Sequence, residues 1–187
     1  MNWAVFLDRD GVLTDAPMVD GQAGSPSHAD DLVLLPGAID AVAQLRAIGA
    51  RTFVVTNQPD VARGRLDARQ LDLMHQRLGA TLAVDEIVTC PHDGADGCAC
   101  RKPLPGMLRD LAARWDIALD ASFMVGDRWV DIAAGAAAGA TTLLVEQPYS
   151  WQPTSAGNPP SALHPDHQVV DVVEAAHVIA RLRGSPS

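Results

Sequence analysis

The chain has 187 residues, and its 48% hydrophobic content is enough to bury the core of one domain over residues 1–187. Its formal charge of −9 excludes a general binder of nucleic acid or anionic membranes, because such proteins need a concentrated basic surface. No apolar run approaches the roughly 20 residues of a membrane span, so we predict a cytoplasmic protein without a membrane partner.

Short apolar runs alternate with longer stretches of helical periodicity along the chain. The runs, which we predict to be buried strands, are 4–7, 52–56, 86–89, 123–126 and 141–145. The periodic stretches, which we predict to be helices, are 36–48, 67–82, 105–115, 130–138 and about 171–182. This alternation predicts an α/β doubly wound parallel sheet with flanking helices. Residues 147–165, rich in Pro, Ser, Gly and Asn, predict an irregular surface connection.

The first predicted strand ends in two carboxylates one residue apart, Asp8 and Asp10, which Gly11 follows. Reactive groups in open α/β sheets gather beyond the carboxyl ends of the strands, and like charges this close need a cation or a shared proton. The pair therefore indicates a catalytic site. A polar strand end that caps a helix is the alternative when this motif is taken alone.

Two further polar groups follow in chain order. Thr56 ends the second predicted strand, and Asn57 and Gln58 follow it. Such neutral donors suit a transferring phosphoryl oxygen, with plain turn chemistry as the alternative. Arg101 and Lys102 form a basic pair, which is usually solvated surface when it stands alone. Together with the paired carboxylates, these groups indicate a site that binds phosphate.

A fourth polar group follows the predicted strand 123–126. It contains Asp127 and, four residues on, Asp131, and carboxylate oxygens are ligands that Mg²⁺ prefers, with a helix cap as the alternative. The order of the four groups resembles the ordered motifs of the haloacid-dehalogenase-like superfamily over roughly residues 5–135. Asp131 matches the second acidic position of the fourth motif, which acts through water or orients the site.

The resemblance implies a Rossmann-like fold and a Mg²⁺-dependent phosphatase that works through a phospho-aspartate. Asp8 is implied as the nucleophile and Asp10 as the acid/base. Thr56 is implied to hydrogen-bond the phosphoryl group, and Lys102 to neutralise its charge. Asp127 is implied as a Mg²⁺ ligand, together with the Asp8 carboxylate and the backbone carbonyl of Asp10.

Three cysteines and one histidine lie within an eleven-residue loop, residues 90–100. Cys90, His92, Cys98 and Cys100 match a closed tetrahedral Zn²⁺ site of the structural type, with buried small hydrophobes as the alternative for the cysteines. The loop leads directly into the basic pair, so we predict that zinc orients that pair toward the phosphate.

No inserted cap domain fits between the four motifs, which predicts an open site in a monomer or small homo-oligomer. Substrate choice is then expected to come from short loops, the zinc loop or a neighbouring subunit. The resemblance implies a small phosphorylated metabolite as the partner. The residues predicted to bind it are Asn57, Gln58, Arg101, Arg128 and His28.

The remaining histidines are predicted to have no functional partner. His75 and His177 fall on predicted helices, and His164 and His167 fall in the irregular region. His28 differs, because it precedes the first helix in the segment after the nucleophile, where related phosphatases contact substrate.

The zinc loop resembles two branches of the superfamily, the D-glycero-D-manno-heptose 1,7-bisphosphate phosphatases and the histidinol-phosphate phosphatases. Residues 56–64 and 101–107 are similar to the heptose branch, where the 7-phosphate is removed. The five-residue gap in the zinc loop is similar to the histidinol branch. Pro59-Asp60 replaces the Ser-Gly of the heptose branch, which leaves a changed substrate open. The resemblance therefore implies the heptose bisphosphate as the substrate, with histidinol phosphate as the alternative and a catalytically silent phosphate-binding module as the alternative of another class.

Overall fold

The computed structural model describes residues 2–19 and 22–184. Its strands form one six-stranded sheet and a short antiparallel hairpin. In chain order the strands are β1 (Ala4–Leu7), β2 (Met18–Val19), β3 (Gln22–Ala23), β4 (Arg51–Asn57), β5 (Glu86–Cys90), β6 (Phe123–Gly126), β7 (Thr141–Val145) and β8 (His167–Val169). The large sheet has the order β5-β4-β1-β6-β7-β8, and all of its pairs are parallel.

Helices connect the strands of the sheet. They are α1 (Ala38–Ala47), α2 (Ala68–Leu82), α3 (Gly106–Trp115), α4 (Trp129–Ala138) and α5 (Val172–Leu182), with short 3₁₀ turns at Ala29–Asp31, Gly94–Asp96 and Leu119–Ala121. Two aspartates begin helices as N-caps: Asp67 accepts from the Arg69 N–H at 2.7 Å, and Asp171 accepts from the Glu174 N–H at 2.8 Å.

The core lies on both faces of the sheet. Side chains alternate along β1, so Val5 and Leu7 pack in a cluster with α1, α2 and α5, while Ala4 and Phe6 face a second cluster with α3. Burial on both faces explains why β1 is continuously apolar. The sheet is therefore doubly wound, as the alternation of elements predicts.

The five predicted strands and five predicted helices are confirmed, with ends that differ by at most two residues. The hairpin β2–β3 and the strand β8 were missed, because two- and three-residue strands are too short to show a period. Within the described residues no cap domain interrupts the fold, and none of the helices is long and apolar enough to cross a membrane. One domain over residues 1–187 stays a prediction, which the single large sheet supports.

The topology determines where a site can form. The chain begins in the middle of the sheet with β1, continues outward through β4 and β5, and then returns to β6 on the other side of β1. Neighbouring connections leave β1 in opposite directions at such a point, which opens a crevice beyond the carboxyl ends of the strands. The motif residues at the ends of β1, β4 and β6 lie at this crevice.

Candidate active site

Four charged side chains converge beyond the carboxyl ends of β1 and β6. Asp8 follows β1, Asp127 follows β6, and Asp131 lies in the first turn of α4. One carboxylate oxygen from each lies within 4.8 Å of the others. Lys102 Nζ lies 2.8 Å from Asp8 Oδ1 and 2.6 Å from Asp131 Oδ1, and donates to the Val55 carbonyl at 2.8 Å. The predicted nucleophile, cation and acidic ligands are therefore neighbours.

Two glycines permit this close approach. Gly11 has a φ of +82°, and a Cβ there would lie 2.1 Å from Asp127 Oδ2. A Cβ on Gly126 would lie 2.1 Å from Asp131 Cβ. Any side chain at either position would displace a carboxylate of the cluster, so the backbone needs glycine at both positions.

The cluster carries more negative charge than its one ammonium can offset. Burial raises the pKa of Asp8 to about 6, although Lys102 acts in the opposite direction. Burial also raises the pKa of Asp127 well above its usual range, and the charges of Asp8 and Asp131 raise it further. Burial disfavours the charged form of Lys102, but Asp131 and Asp8 outweigh this and raise its pKa above the ordinary value.

The donor set fits a divalent cation. Asp127 Oδ1 is buried and has no hydrogen-bond partner among the described residues, which is a costly state for a carboxylate oxygen. The Tyr149 hydroxyl lies against the same carboxylate on its other side. Hard oxygen donors of this kind suit Mg²⁺, whose charge would offset the carboxylates that Lys102 leaves uncompensated.

Asp10 has a different environment from Asp8. Arg9 donates to its carboxylate from Nε at 3.1 and 3.2 Å and from Nη2 at 2.9 Å. Ser25 Oγ and Gln58 Nε2 donate to Asp10 Oδ2 at 2.7 and 2.9 Å. Donors therefore hold the predicted acid/base from several sides. Sequence reasoning missed Ser25, since nothing in its pattern distinguishes it from other loop serines.

The polar residues at the end of β4 face into the site. Thr56 is buried, and its Oγ accepts from Gln58 Nε2 at 2.9 Å. Asn57 Nδ2 donates to the Lys102 carbonyl at 3.0 Å, and Asn57 Oδ1 accepts from the Lys102 N–H at 3.1 Å. Asn57 and Gln58 thus orient other residues of the site. Their predicted contacts with substrate stay predictions.

Cys90, His92, Cys98 and Cys100 also come together. The Cys90 sulfur lies 3.6 Å from the Cys98 sulfur and 3.6 Å from His92 Nδ1, which lies 3.3 Å from the Cys100 sulfur. A tetrahedron around Zn²⁺ has edges of about 3.8 Å between sulfurs and about 3.5 Å between sulfur and nitrogen. Burial raises the pKa of Cys90 to about 12, so a cation is needed to keep its thiolate. The cluster therefore fits a zinc ion.

The predicted surface connection reaches both of the predicted substrate-binding arginines. Arg101 donates from Nη2 to Ser155 Oγ at 2.8 Å and from Nη1 to the His92 carbonyl at 3.0 Å. The Arg128 guanidinium lies 5.5 Å from the centre of the Tyr149 ring, which is a cation–π distance. The Nε atoms of both arginines are buried without a partner among the described residues.

Residues 147–165 do not lie wholly at the surface. Tyr149 and Ser150 are buried, and Ser150 Oγ donates to the Asp127 carbonyl at 2.6 Å. The composition of the segment does not reveal its contact with the Asp127 loop. Polar residues are typical of exposed loops, but here they form hydrogen bonds with another loop of the protein. Short turns such as these have no periodicity through which sequence could show burial.

Two histidines, His28 and His75, lie in different surroundings. His28 is exposed, and within the part of the chain that the structure describes no hydrogen bond or ion pair joins it to the site. Its predicted contact with substrate stays a prediction, and Ser25, three residues earlier, donates to Asp10. His75 was predicted to have no partner, but its Nε2 lies 3.2 Å from Arg9 Nη1. That prediction was wrong, because helical periodicity does not show which residue a loop brings against the helix.

Comparison with known proteins identifies the family. The profile of the haloacid dehalogenase-like hydrolases matches residues 22–139. The chain belongs to this family. The match begins beyond Asp8 and Asp10, whose roles therefore stay proposals.

Two relatives of this haloacid dehalogenase-like hydrolase are enzymes from Bordetella bronchiseptica and Pseudomonas putida. Both are named D-glycero-beta-D-manno-heptose-1,7-bisphosphate 7-phosphatase. Each is 42% identical over 147 residues, which cover 76% of this chain and 79% and 81% of the relatives. The chain is also similar to the crystal structure of D,D-heptose 1,7-bisphosphate phosphatase from B. bronchiseptica complexed with magnesium and phosphate. That structure is 34% identical, with a TM-score of 0.79, and the match covers 97% of this chain and 99% of the other.

Proposed function

We propose that this phosphoric monoester hydrolase removes the 7-phosphate of D-glycero-D-manno-heptose 1,7-bisphosphate through a phospho-Asp8 intermediate. The observation that carries the chemistry is the buried Asp8 carboxylate, 2.8 Å from Lys102 Nζ in a cluster with Asp127 and Asp131. The names of the relatives support the substrate.

The first step transfers the phosphoryl group to the protein. An Asp8 oxygen forms a bond to phosphorus while the bond from phosphorus to the ester oxygen breaks, and the electron pair stays on that oxygen. The leaving oxygen takes a proton from the Asp10 carboxyl group. Lys102 and the Thr56 hydroxyl stabilise the charge on the phosphoryl oxygens, which is the main requirement of phosphoryl transfer.

The second step hydrolyses phospho-Asp8. The Asp10 carboxylate takes a proton from water, whose oxygen forms a bond to phosphorus as the bond from phosphorus to Asp8 breaks. Inorganic phosphate leaves, and the step restores both the Asp8 carboxylate and the proton on Asp10. The same residue thus serves as acid and then as base, as microscopic reversibility requires.

The chain's own oxygens would hold one Mg²⁺ ion. They are the carboxylates of Asp8 and Asp127 and the backbone carbonyl of Asp10, while Asp131 orients Lys102. When bound, the ion offsets the repulsion between the phosphate and the carboxylates. The unpartnered Asp127 Oδ1 supports this assignment.

A structural zinc ion would be held by Cys90, His92, Cys98 and Cys100. Its effect on catalysis is indirect, since the loop continues into Arg101 and Lys102. The hydrogen bond from Arg101 to the His92 carbonyl supports this coupling. Zinc therefore keeps the basic pair in place and has no part in the chemical steps.

Arg101 and Arg128 are the groups that we assign to the second phosphate or the hydroxyls of the substrate. Both are half-buried cations that are chain neighbours of site residues, Arg101 of Lys102 and Arg128 of Asp127, and a guanidinium suits the oxygens of a phosphate. Transfer of the 7-phosphate to Asp8 needs no contact with the rest of the substrate. These two arginines therefore determine the choice of substrate.

Asp60 is the residue that would recognise the cationic amine of histidinol phosphate in the alternative function. Its carboxylate lies 3.4 Å from Arg63 Nη1, and Arg63 also pairs with Asp93 of the zinc loop at 2.7 Å. Arg63 lies closer to Asp93 than to Asp60, so it offsets the charge of Asp60 only in part. The names of the relatives therefore carry the preference for the heptose bisphosphate over histidinol phosphate.

The test is kcat/KM for both anomers of the heptose 1,7-bisphosphate, for histidinol phosphate and for 4-nitrophenyl phosphate. We expect the bisphosphate to be the best substrate of the wild-type protein. Arg101→Ala should lower its kcat/KM by roughly 10- to 100-fold, because a charge-assisted contact is lost, and that of the small ester by about 3-fold or less. Arg181→Ala, on the exposed face of α5, is the matched control.

Two results would overturn the assignment. If histidinol phosphate is the better substrate by about tenfold and Asp60→Ser selectively harms it, the histidinol function replaces the heptose function. If none of the esters is hydrolysed with Mg²⁺ present, the chain is a silent phosphate-binding module. A cytoplasmic location and a monomeric or small homo-oligomeric state stay predictions.

A further inference from the structure

Arg9 is the largest fully buried side chain in the described residues, and the two proposed steps do not use it. In the sequence it stands between the proposed nucleophile, Asp8, and the proposed acid/base, Asp10. Its side chain is 0% exposed. Burial of a guanidinium is costly unless each of its donors has a partner. The partners of Arg9 therefore indicate what its charge does.

One side of the guanidinium holds Asp10. Nε and Nη2 donate to both carboxylate oxygens at 2.9 to 3.2 Å, which is the forked geometry that fixes the plane of a carboxylate. Ser25 and Gln58 donate to Oδ2, and the Thr14 hydroxyl to Oδ1 at 3.2 Å. Within the described residues, Arg9 is the one donor here that carries a charge and reaches both oxygens.

The other side of the guanidinium reaches helix α2. Nη1 lies 3.2 Å from His75 Nε2 and 3.9 Å from the Met74 sulfur. Because arginine has no acceptor, His75 Nε2 must accept and its Nδ1 must carry the hydrogen. Burial and the charge of Arg9 lower the pKa of His75 to about 4, which agrees with a neutral ring. A rigid helix is thus joined to the Asp10 carboxylate through one side chain.

We propose that Arg9 is a positioning residue that holds Asp10 in its orientation for proton transfer, and that His75 anchors Arg9 on α2. This inference rests on the proposed function, since it needs Asp10 to be the acid/base. Proton transfer depends on placement within hydrogen-bond distance of the leaving oxygen, so a carboxylate that rotates loses much of its effect.

Esters with different leaving groups separate this role from a purely structural one. A nitrophenolate leaves without a proton, whereas the alkoxide of 2-phenylethyl phosphate, an ester of similar size, needs one. We therefore compare kcat/KM for 4-nitrophenyl phosphate and 2-phenylethyl phosphate. This ratio reports only the transfer to Asp8, so the later role of Asp10 as a base does not enter.

We expect Arg9→Met to lower kcat/KM for the alkyl ester by roughly 100-fold and for the aryl ester by about 5-fold or less, since only the first needs the acid. His75→Ala should lower the alkyl value by about 10-fold, because Arg9 keeps its contacts with Asp10 but loses its anchor. His75→Gln should restore most of the activity, because the carboxamide offers an acceptor. Arg181→Met and His177→Ala, both exposed on α5, are the matched controls.

Asp10→Asn separates failure of this inference from failure of the proposed function. If Asp10→Asn harms the alkyl ester selectively but Arg9→Met and His75→Ala lower both esters by equal factors, the positioning role alone is wrong. If Asp10→Asn lowers both esters equally, or if the wild-type protein hydrolyses neither, the proposed acid/base role fails and this inference with it. Should Arg9→Met not fold, His75→Ala on the half-buried face of α2 decides the question.

Discussion

The chain builds its two candidate metal-binding clusters in different ways. The oxygen cluster takes Asp8, Asp127 and Asp131 from parts of the sequence more than 100 residues apart, and the parallel sheet brings them together. The sulfur and nitrogen cluster comes from residues 90–100 alone. The first therefore depends on the fold, whereas the second can order only its own loop.

Disruption of the two clusters should therefore have different consequences. The oxygen cluster lies on strand ends whose packing does not depend on it, so its disruption should stop catalysis and leave the fold intact. The cysteines of the zinc loop pack against the apolar cluster around α3, but the 3₁₀ turn Gly94–Asp96 between them contains no buried residue. Loss of zinc should therefore remove order and activity together.

The largest expected effect is that of Asp8→Asn. The change keeps the shape of the side chain and removes the nucleophile, so turnover should fall by roughly 10⁴-fold or more while the melting temperature changes little. Steady-state kinetics and thermal denaturation check this. Asp110→Asn, on the exposed face of α3, is the matched control. Activity close to wild type in Asp8→Asn would remove phospho-aspartate chemistry from the account.

Removal of Mg²⁺ should have the next largest effect. In protein dialysed against buffer without Mg²⁺, kcat/KM should fall by about 10³-fold, since the ion offsets several kcal/mol of repulsion in the transition state. Addition of Mg²⁺ should restore it, with the zinc content unchanged throughout. Full activity after dialysis, with no Mg²⁺ left in the protein by elemental analysis, would contradict the assigned ligands.

Cys98→Ser removes one ligand of the proposed zinc site. We expect the zinc content to fall from one ion per chain and the melting temperature to drop by about 5 to 10 °C. The variant should lose about 2–3 kcal/mol of unfolding free energy, and each kcal/mol shifts the melting temperature of a domain of this size by about 2–4 °C. Activity should fall with stability. Ala95→Ser, at an exposed position of the same loop that binds no metal, is the control. The absence of zinc from wild-type protein purified without chelator would contradict the proposed zinc site.

Ser155→Ala should have the smallest effect. The change removes one hydrogen bond to Arg101 at an exposed position, so kcat/KM for the heptose bisphosphate should fall by about 2- to 5-fold. The loss for 4-nitrophenyl phosphate should be smaller, because that ester offers nothing for Arg101 to hold. Ser161→Ala, exposed in the same segment, is the matched change. An equal loss of kcat/KM for both esters would show that Ser155 does not contribute to the choice of substrate.

Most of the sheet and the acidic cluster could be predicted because the sequence changes from apolar to polar residues where a buried strand ends. Asp8 and Asp127 follow apolar runs and Thr56 lies near the end of one, and parallel strands bring such ends to one edge. The zinc ligands could be predicted because their spacing is local. Ser25 and Tyr149 could not be predicted, since each reaches the site from a loop without periodicity.

Rapid acid quench of a single turnover shows directly whether Asp8 carries the phosphoryl group. With substrate labelled in the transferred phosphate, the account predicts that label appears transiently on the peptide that contains Asp8, within the time of one turnover. The label should be absent from Asp8→Asn. Turnover at the normal rate with label passing straight to inorganic phosphate, and none on the protein at any time, would contradict the account.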